Sequence, residues 1–248
     1  MTVKTRDAEA PLRMSGRYAY FCNGKRTDII ESFTILIENG HWIVTSSRTS
    51  KNFAFSACVK AQVSLEDFLL PKVEVRWTAH KEKYCIDTEM NSKSLIFTLN
   101  GITDSLPLKG PTIYFPLLRI FMGPILRFLE KHQNTTTLII PNIKVPAGHK
   151  DFLKPEKTKR KATLIERTTY MPKAQTPIIS DLHSYAENRA IPCRKFEYEG
   201  DQYEKGTYVT IDDNDILLHY AWQQDAKTQW DIHIEDYTLS LAAEAEAD

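Results

Sequence analysis

Three Asn-Gly pairs, Asn23-Gly24, Asn39-Gly40 and Asn100-Gly101, each close a run rich in β-branched and aromatic residues. Asn-Gly supplies the positive φ angles of a two-residue hairpin turn, so the runs on either side of it are antiparallel neighbours. YAYFC (18–22) leads into the first pair and FTILIE (33–38) into the second, from which HWIVTSS (41–47) departs. FAFSACVKAQV (53–63), VEVRWTA (73–79), YCIDTEM (84–90) and LIFTL (95–99) extend the series to the third. The consequence is a long β-meander.

Strand signals return later in TTLIIP (136–141), RKATLIERTTY (160–170), KFEYEG (195–200), TYVTID (207–212), ILLHYAW (216–222) and TQWDIHIEDYTL (228–239). Asp212-Asp213-Asn214-Asp215 has the composition of the turn between two of them. SLPLKGP (105–111) is a connector, residues 144–159 a basic solvated loop, and Ile179 to Asn188 a short helix. Residues 1–15 and 241–248 are expected as flexible ends around a single β domain, 16–240.

Between the two sets of strands lies YFPLLRIFMGPILRFLEKH, which predicts a helix over 115–132. Pro116 suits a first helical turn, and Phe115, Leu118, Met122, Ile125 and Leu129 share one face at spacings of three and four. Leu117, Ile120, Phe121, Leu126 and Phe128 cover most of the remainder, leaving Arg119, Gly123, Arg127 and Lys131 as a narrow water-facing edge. A helix apolar on nearly all sides must be enclosed. The run is shorter than the roughly 20 apolar residues of a membrane span and contains two arginines. Pro124 predicts a bend within it. The fold class is therefore mainly β: a large curved antiparallel sheet, half-barrel or barrel, enclosing one long hydrophobic helix.

At 42% hydrophobic residues, the chain is excluded from the disordered and collagen-like classes. Its 32 basic and 32 acidic residues exclude the broad electrostatic attraction on which non-specific nucleic-acid binding depends. The balance is uneven along the chain: residues 1–143 carry +5, 144–173 carry +6 and 174–248 carry −11. Such runs usually face water. Cys22, Cys58, Cys85 and Cys193 stand apart, with no zinc-ligand spacing, and are assigned to the core; no metal is expected. The opening MTVKTRDAEAPLRM has no apolar run of the signal-peptide kind, which predicts a cytoplasmic protein, or a periplasmic one if an export signal has been removed.

The four tryptophans, Trp42, Trp77, Trp222 and Trp230, all fall in strands. Strand alternation puts Trp230, Ile232 and Ile234 on one face and Asp231, His233 and Glu235 on the other; Tyr220 and Trp222 likewise oppose His219. An aromatic sheet face needs a cover, and the helix is the one available. Either the two fill each other completely, or the sheet is too large for one helix and leaves a cavity. The residues expected to line such a cavity are Trp42, Trp77, Phe115, Leu118, Phe121, Met122, Ile125, Tyr220, Trp222 and Trp230. On the polar face, His219, His233 and Asp231 form a cluster with the residue types of general acid/base catalysis. GxSxG, HExxH, GxGxxG and the P-loop are absent, and no cofactor is expected.

This succession of elements is similar to the half-barrel of the lipoprotein-localisation factors. The run from YAYFCNG to IFTLNG, the helix YFPLLRIFMGPILRFLEKH, and ILLHYAWQQDAKTQWDIHIEDY carry the resemblance. It implies a curved sheet and covering helix that hold acyl chains between them, and it carries over no functional residue. The expected function is binding of an apolar small molecule, lipid-like or polyaromatic. The alternatives are an enzyme that cyclises or isomerises a hydrophobic substrate in the same cavity by His/Asp or Tyr acid-base chemistry, and an interaction protein that dimerises through its helix.

Overall fold

A computed structural model of the protein describes residues 12–132, 135–171, 178–180, 190–200 and 207–241. The Asn-Gly pairs behave as their chemistry requires. Asn23 and Gly24 have φ of 50° and 73°, Asn39 and Gly40 49° and 74°, and Asn100 and Gly101 50° and 85°. Positive φ at both central positions turns the chain in the sense of the strands' own twist. The meander that results is unbroken: β1 (Leu12–Cys22), β2 (Lys25–Glu38), β3 (His41–Ser50), β4 (Phe55–Ser64), β5 (Lys72–Ala79), β6 (Glu82–Met90), β7 (Ser94–Leu99) and β8 (Ile102–Pro107).

The chain then makes a parallel crossover through a helix, from β9 (Thr112–Tyr114) through α1 (Met122–Lys131) to β10 (Thr135–Pro141). It continues as β11 (Pro155–Tyr170), β12 (Ile178–Ser180), β13 (Ile191–Gly200), β14 (Tyr208–Asp212), β15 (Leu217–Asp225) and β16 (Thr228–Leu241). β16 pairs with β1, so both halves form one sheet in the order β8-β7-β6-β5-β4-β3-β2-β1-β16-β15-β14-β13-β11-β10-β9. β15 covers β16 only from Thr228 to His233, and β12 pairs with Tyr237 to Leu239 beyond it. Register shifts at Arg17/Tyr18 and Ala19/Phe21 interrupt the ladders of β1 on both sides. Bulges of this kind sharpen the twist and bend of a sheet, and the sheet wraps α1 on its concave side, where Ile125, Leu126 and Leu129 are fully buried.

The helix is shorter than its apolar run. Residue 115 precedes a proline, which disfavours helical backbone there, and Leu117 takes a left-handed φ of 67°. A single 3-10 turn, Arg119–Phe121, leads into α1. Pro124 thus falls in the first turn of α1, where its missing N–H would have had no intrahelical partner. It begins the helix instead of bending it. The polar edge also differs: Arg119 and Gly123 are buried and only Lys131 is well exposed.

Other boundaries move as well. Residues 12–15 and 241 belong to strands, while residues 1–11 and 242–248, the rest of the expected flexible ends, lie outside the described residues. β8 occupies part of the expected connector and β9 begins directly after it, and β11 begins five residues earlier than RKATLIERTTY, at Pro155. The loop before it is no solvated strap: Phe152 and Leu153 are buried, and the Phe152 ring packs edge-on to Trp77 and Tyr84 at 6.4 and 4.8 Å. Of the expected helix at 179–188, residues 179 and 180 are in β12 and the others lie outside the described residues. Only Cys193 is a core cysteine; Cys22, Cys58 and Cys85 are partly exposed.

Candidate functional site

Alternation in β15 and β16 sorts their side chains as the pattern requires. Tyr220, Ile232 and Ile234 are fully buried on the concave side. Trp222 and Trp230 are direct cross-strand partners, stacked at 5.8 Å and 11°, and Tyr220 stacks on Trp222 at 4.9 Å. The Arg119 guanidinium continues this column, 4.7 Å from the Tyr220 ring and 5.1 Å from Trp222. Aromatic faces attract a cation through their quadrupole, most strongly where water is excluded.

Facing this column is a second one from β3, β4 and β5. Phe55 stacks on Trp77 at 5.8 Å, and the Arg48 guanidinium lies 5.6 Å from Phe55 and 5.8 Å from Trp77. Arg48 Nη1 donates to the carbonyl of Leu117 at 3.1 Å, which ties β3 to the left-handed residue ahead of the helix.

Between the two columns sits Glu31, fully buried on β2. Its Oε2 accepts from Tyr20 Oη at 2.6 Å, and its Oε1 accepts from the backbone N–H groups of Arg119 and Ile120. No local side chain caps this end of the helix, so a carboxylate from a distant strand satisfies the first donors. Burial pushes the Glu31 carboxyl above its ordinary range, against the opposing pull of Arg48 and of the Tyr20 hydrogen bond.

A cavity of about 330 Å³ lies between the columns, walled by Tyr20, Ile29, Arg48, Phe53, Phe55, Arg119, Trp222, Gln224 and Trp230. It opens beside the β1–β2, β3–β4 and β15–β16 turns. Phe53, in the β3–β4 turn, is half exposed at the mouth. Trp230 Nε1 donates to Gln224 Oε1 at 2.7 Å, which fixes the indole as part of the wall. A second cavity of about 100 Å³ is lined by Arg48 and Arg119 as well, together with Phe115, Leu117, Ile140, Pro141, Ile143, Lys144, Glu156, Arg160 and Tyr198.

Among solved structures, the chain is similar to the crystal structure of a β-barrel-like protein of the domain of unknown function DUF1849 from Brucella abortus. The TM-score is 0.51 at 8% identity, over 95% of this chain and 99% of that one. This chain shares that β-barrel-like fold. No protein-family model matches it, and no curated protein does. The barrel-like sheet implied by the half-barrel resemblance is present, without a demonstrated tie to the lipoprotein-localisation factors themselves. No helix among the described residues is long and apolar enough to cross a membrane.

Of the residues expected to line a cavity, Trp222 and Trp230 do so in the larger and Phe115 in the smaller. Trp77 backs Phe55 in the wall, while Trp42, Leu118, Phe121, Met122, Ile125 and Tyr220 are packed in the core. Their apolar character marked burial, and burial alone does not separate a wall from a core.

His219, Asp231 and His233 do come together, because His219 and His233 are cross-strand partners and Asp231 shares their face. The imidazoles stack at 4.5 Å, His219 Nε2 lies 3.2 Å from Asp231 Oδ1, and Tyr170 Oη lies 3.4 Å from His233 Nδ1. One donor atom from each of the three lies within 4.8 Å of the others, a spacing at which they could hold a metal ion. No sequence motif showed this, because the donors meet through strand register and not through local spacing. By alternation they face the convex side, across the sheet from Trp222, Trp230 and the cavity. A substrate in the cavity would therefore not meet this acid/base cluster.

Proposed function

We propose that the protein binds a small apolar molecule in the cavity between the Trp222–Trp230 and Phe55–Trp77 columns. The observation that carries this reading is the open cavity of about 330 Å³ on the concave face, with five aromatic side chains, Tyr20, Phe53, Phe55, Trp222 and Trp230, in its wall. That volume falls at the lower end of the range for small-molecule sites, which are typically apolar with a few placed polar groups. Most of the binding energy comes from covering aromatic surface: burial contributes about 25 cal/mol per Å², against association costs of at least about 4 kcal/mol.

The test is a fluorescence titration with N-phenyl-1-naphthylamine, an uncharged apolar probe. Saturable binding at one site is expected, weakened about tenfold by Trp222→Ala or Trp230→Ala. His219→Ala and His233→Ala are expected to leave it unchanged, since both lie on the convex face. Non-saturable binding, or equal loss in the histidine variants, would overturn the reading.

A further inference from the structure

The Arg48 guanidinium is out of place in an apolar cavity unless something anionic meets it. Arg48 is 8% exposed, and its Nε is buried without a hydrogen-bond partner. The hydrogen bond it makes, to the Leu117 carbonyl, is to a neutral acceptor. It has no ion pair among the described residues. Glu31 is the carboxylate close enough to feel its charge, yet both Glu31 oxygens are taken by Tyr20 and by the backbone at Arg119 and Ile120. A buried charge without a matched partner is costly, and native structures retain one where a function needs it. Arg48 and Arg119 also line both cavities, so the two side chains form the wall between the apolar cleft and a smaller space that includes Lys144 and Arg160.

Resting on the cavity reading above, we infer that the ligand is an amphiphile with an anionic head group, carboxylate or phosphate, whose head meets Arg48 while its apolar body lies against Trp222, Trp230 and Phe55. The planar guanidinium suits both oxyanions, because it offers parallel N–H donors. Stacking on Phe55 and Trp77 holds its plane in place before a ligand arrives, which lowers the ordering cost of binding.

The test compares decanoate, decyl phosphate, decanol and decyltrimethylammonium by calorimetry on the full chain, each below its micelle concentration. Wild-type protein is expected to bind at least one of the two acids about tenfold or more tighter than decanol, with the cation weakest. The tighter of the two acids identifies the head group. Arg48→Met is expected to bring the acids down to the affinity of decanol, and Arg48→Lys to keep part of the preference. Equal binding of acids and decanol by wild-type protein would overturn the anionic head group and leave the apolar cavity standing. Failure of all four to bind would overturn both. The wild-type comparison decides the matter even if Arg48→Met does not fold.

Discussion

Asp212 is buried at the turn against which the helix packs, where its Oδ1 accepts from the backbone N–H groups of Asn214 and Ile216 at 3.0 and 2.7 Å. Burial, helped by the negative charge of Asp215, pushes its carboxyl up to about 7, against the pull of those two bonds. The folded protein therefore holds this proton more tightly than the unfolded chain, whose aspartates titrate near 3.9. The stabilisation is complete below about pH 4 and is lost as pH rises to about 7. Chemical denaturation across that window is expected to show stability falling with pH. Asp212→Asn keeps the oxygen acceptor and should lessen the slope by up to ~1.4 kcal/mol per pH unit; an unchanged slope would count against the assignment. Turn composition places Asp212 in its turn, whereas the motifs and spacings of the sequence single out neither Glu31 nor Arg48. Glu31 falls in phase with Ile29, Phe33 and Ile35 in β2, and Arg48 with Trp42 and Val44 in β3. A charge on the inward phase of a strand is the signal that would have found both.

At the level of elements, α1 shows how a neighbour can override an apolar pattern. Its first turn lies so close to the Asp212–Asp215 turn that a Cβ on Gly123 would collide with the Asp215 carbonyl. In an exposed helix Gly→Ala would gain up to about 1 kcal/mol. Here Gly123→Ala is expected to lose about 2 kcal/mol or more through overpacking, whereas Pro124→Ala, in the same first turn, should stay within about 1 kcal/mol. Urea denaturation midpoints of the two variants distinguish this arrangement from a mid-helix kink at Pro124, for which Pro124→Ala would stabilise markedly. The hairpins were readable because Asn-Gly acts locally. The helix start was not, because it depends on acceptors from β2 that lie 88 residues away in sequence. β8 was missed for a related reason: Ile102 to Ser105 are exposed, so they carry no alternating burial pattern.

For the whole molecule, one sheet with β16 joined to β1 brings the Trp222–Trp230 pair opposite Phe55 and Trp77, although the two sets lie far apart in the chain. Alternation revealed the aromatic face, but which of its members wall a cavity and which fill the core depends on how tightly the sheet curls. That in turn depends on bulges in β1 and on Phe152 packing against Trp77, neither of which leaves a local sequence signature. The same sheet separates two sites by its thickness, an apolar cleft on the concave face and the His219–Asp231–His233 group on the convex one. The central claim is that the concave cleft holds the ligand. Photo-crosslinking with a diazirine analogue of decanoate, followed by peptide mapping, tests it most directly. Labels, placed residue by residue by fragmentation of the peptides, are expected on Tyr20, Ile29, Phe53, Phe55, Trp222 or Trp230 and are expected to be displaced by excess decanoate. Labelling confined to the convex-face side chains His219, His233 and Tyr170, or scattered and insensitive to competitor, would contradict it.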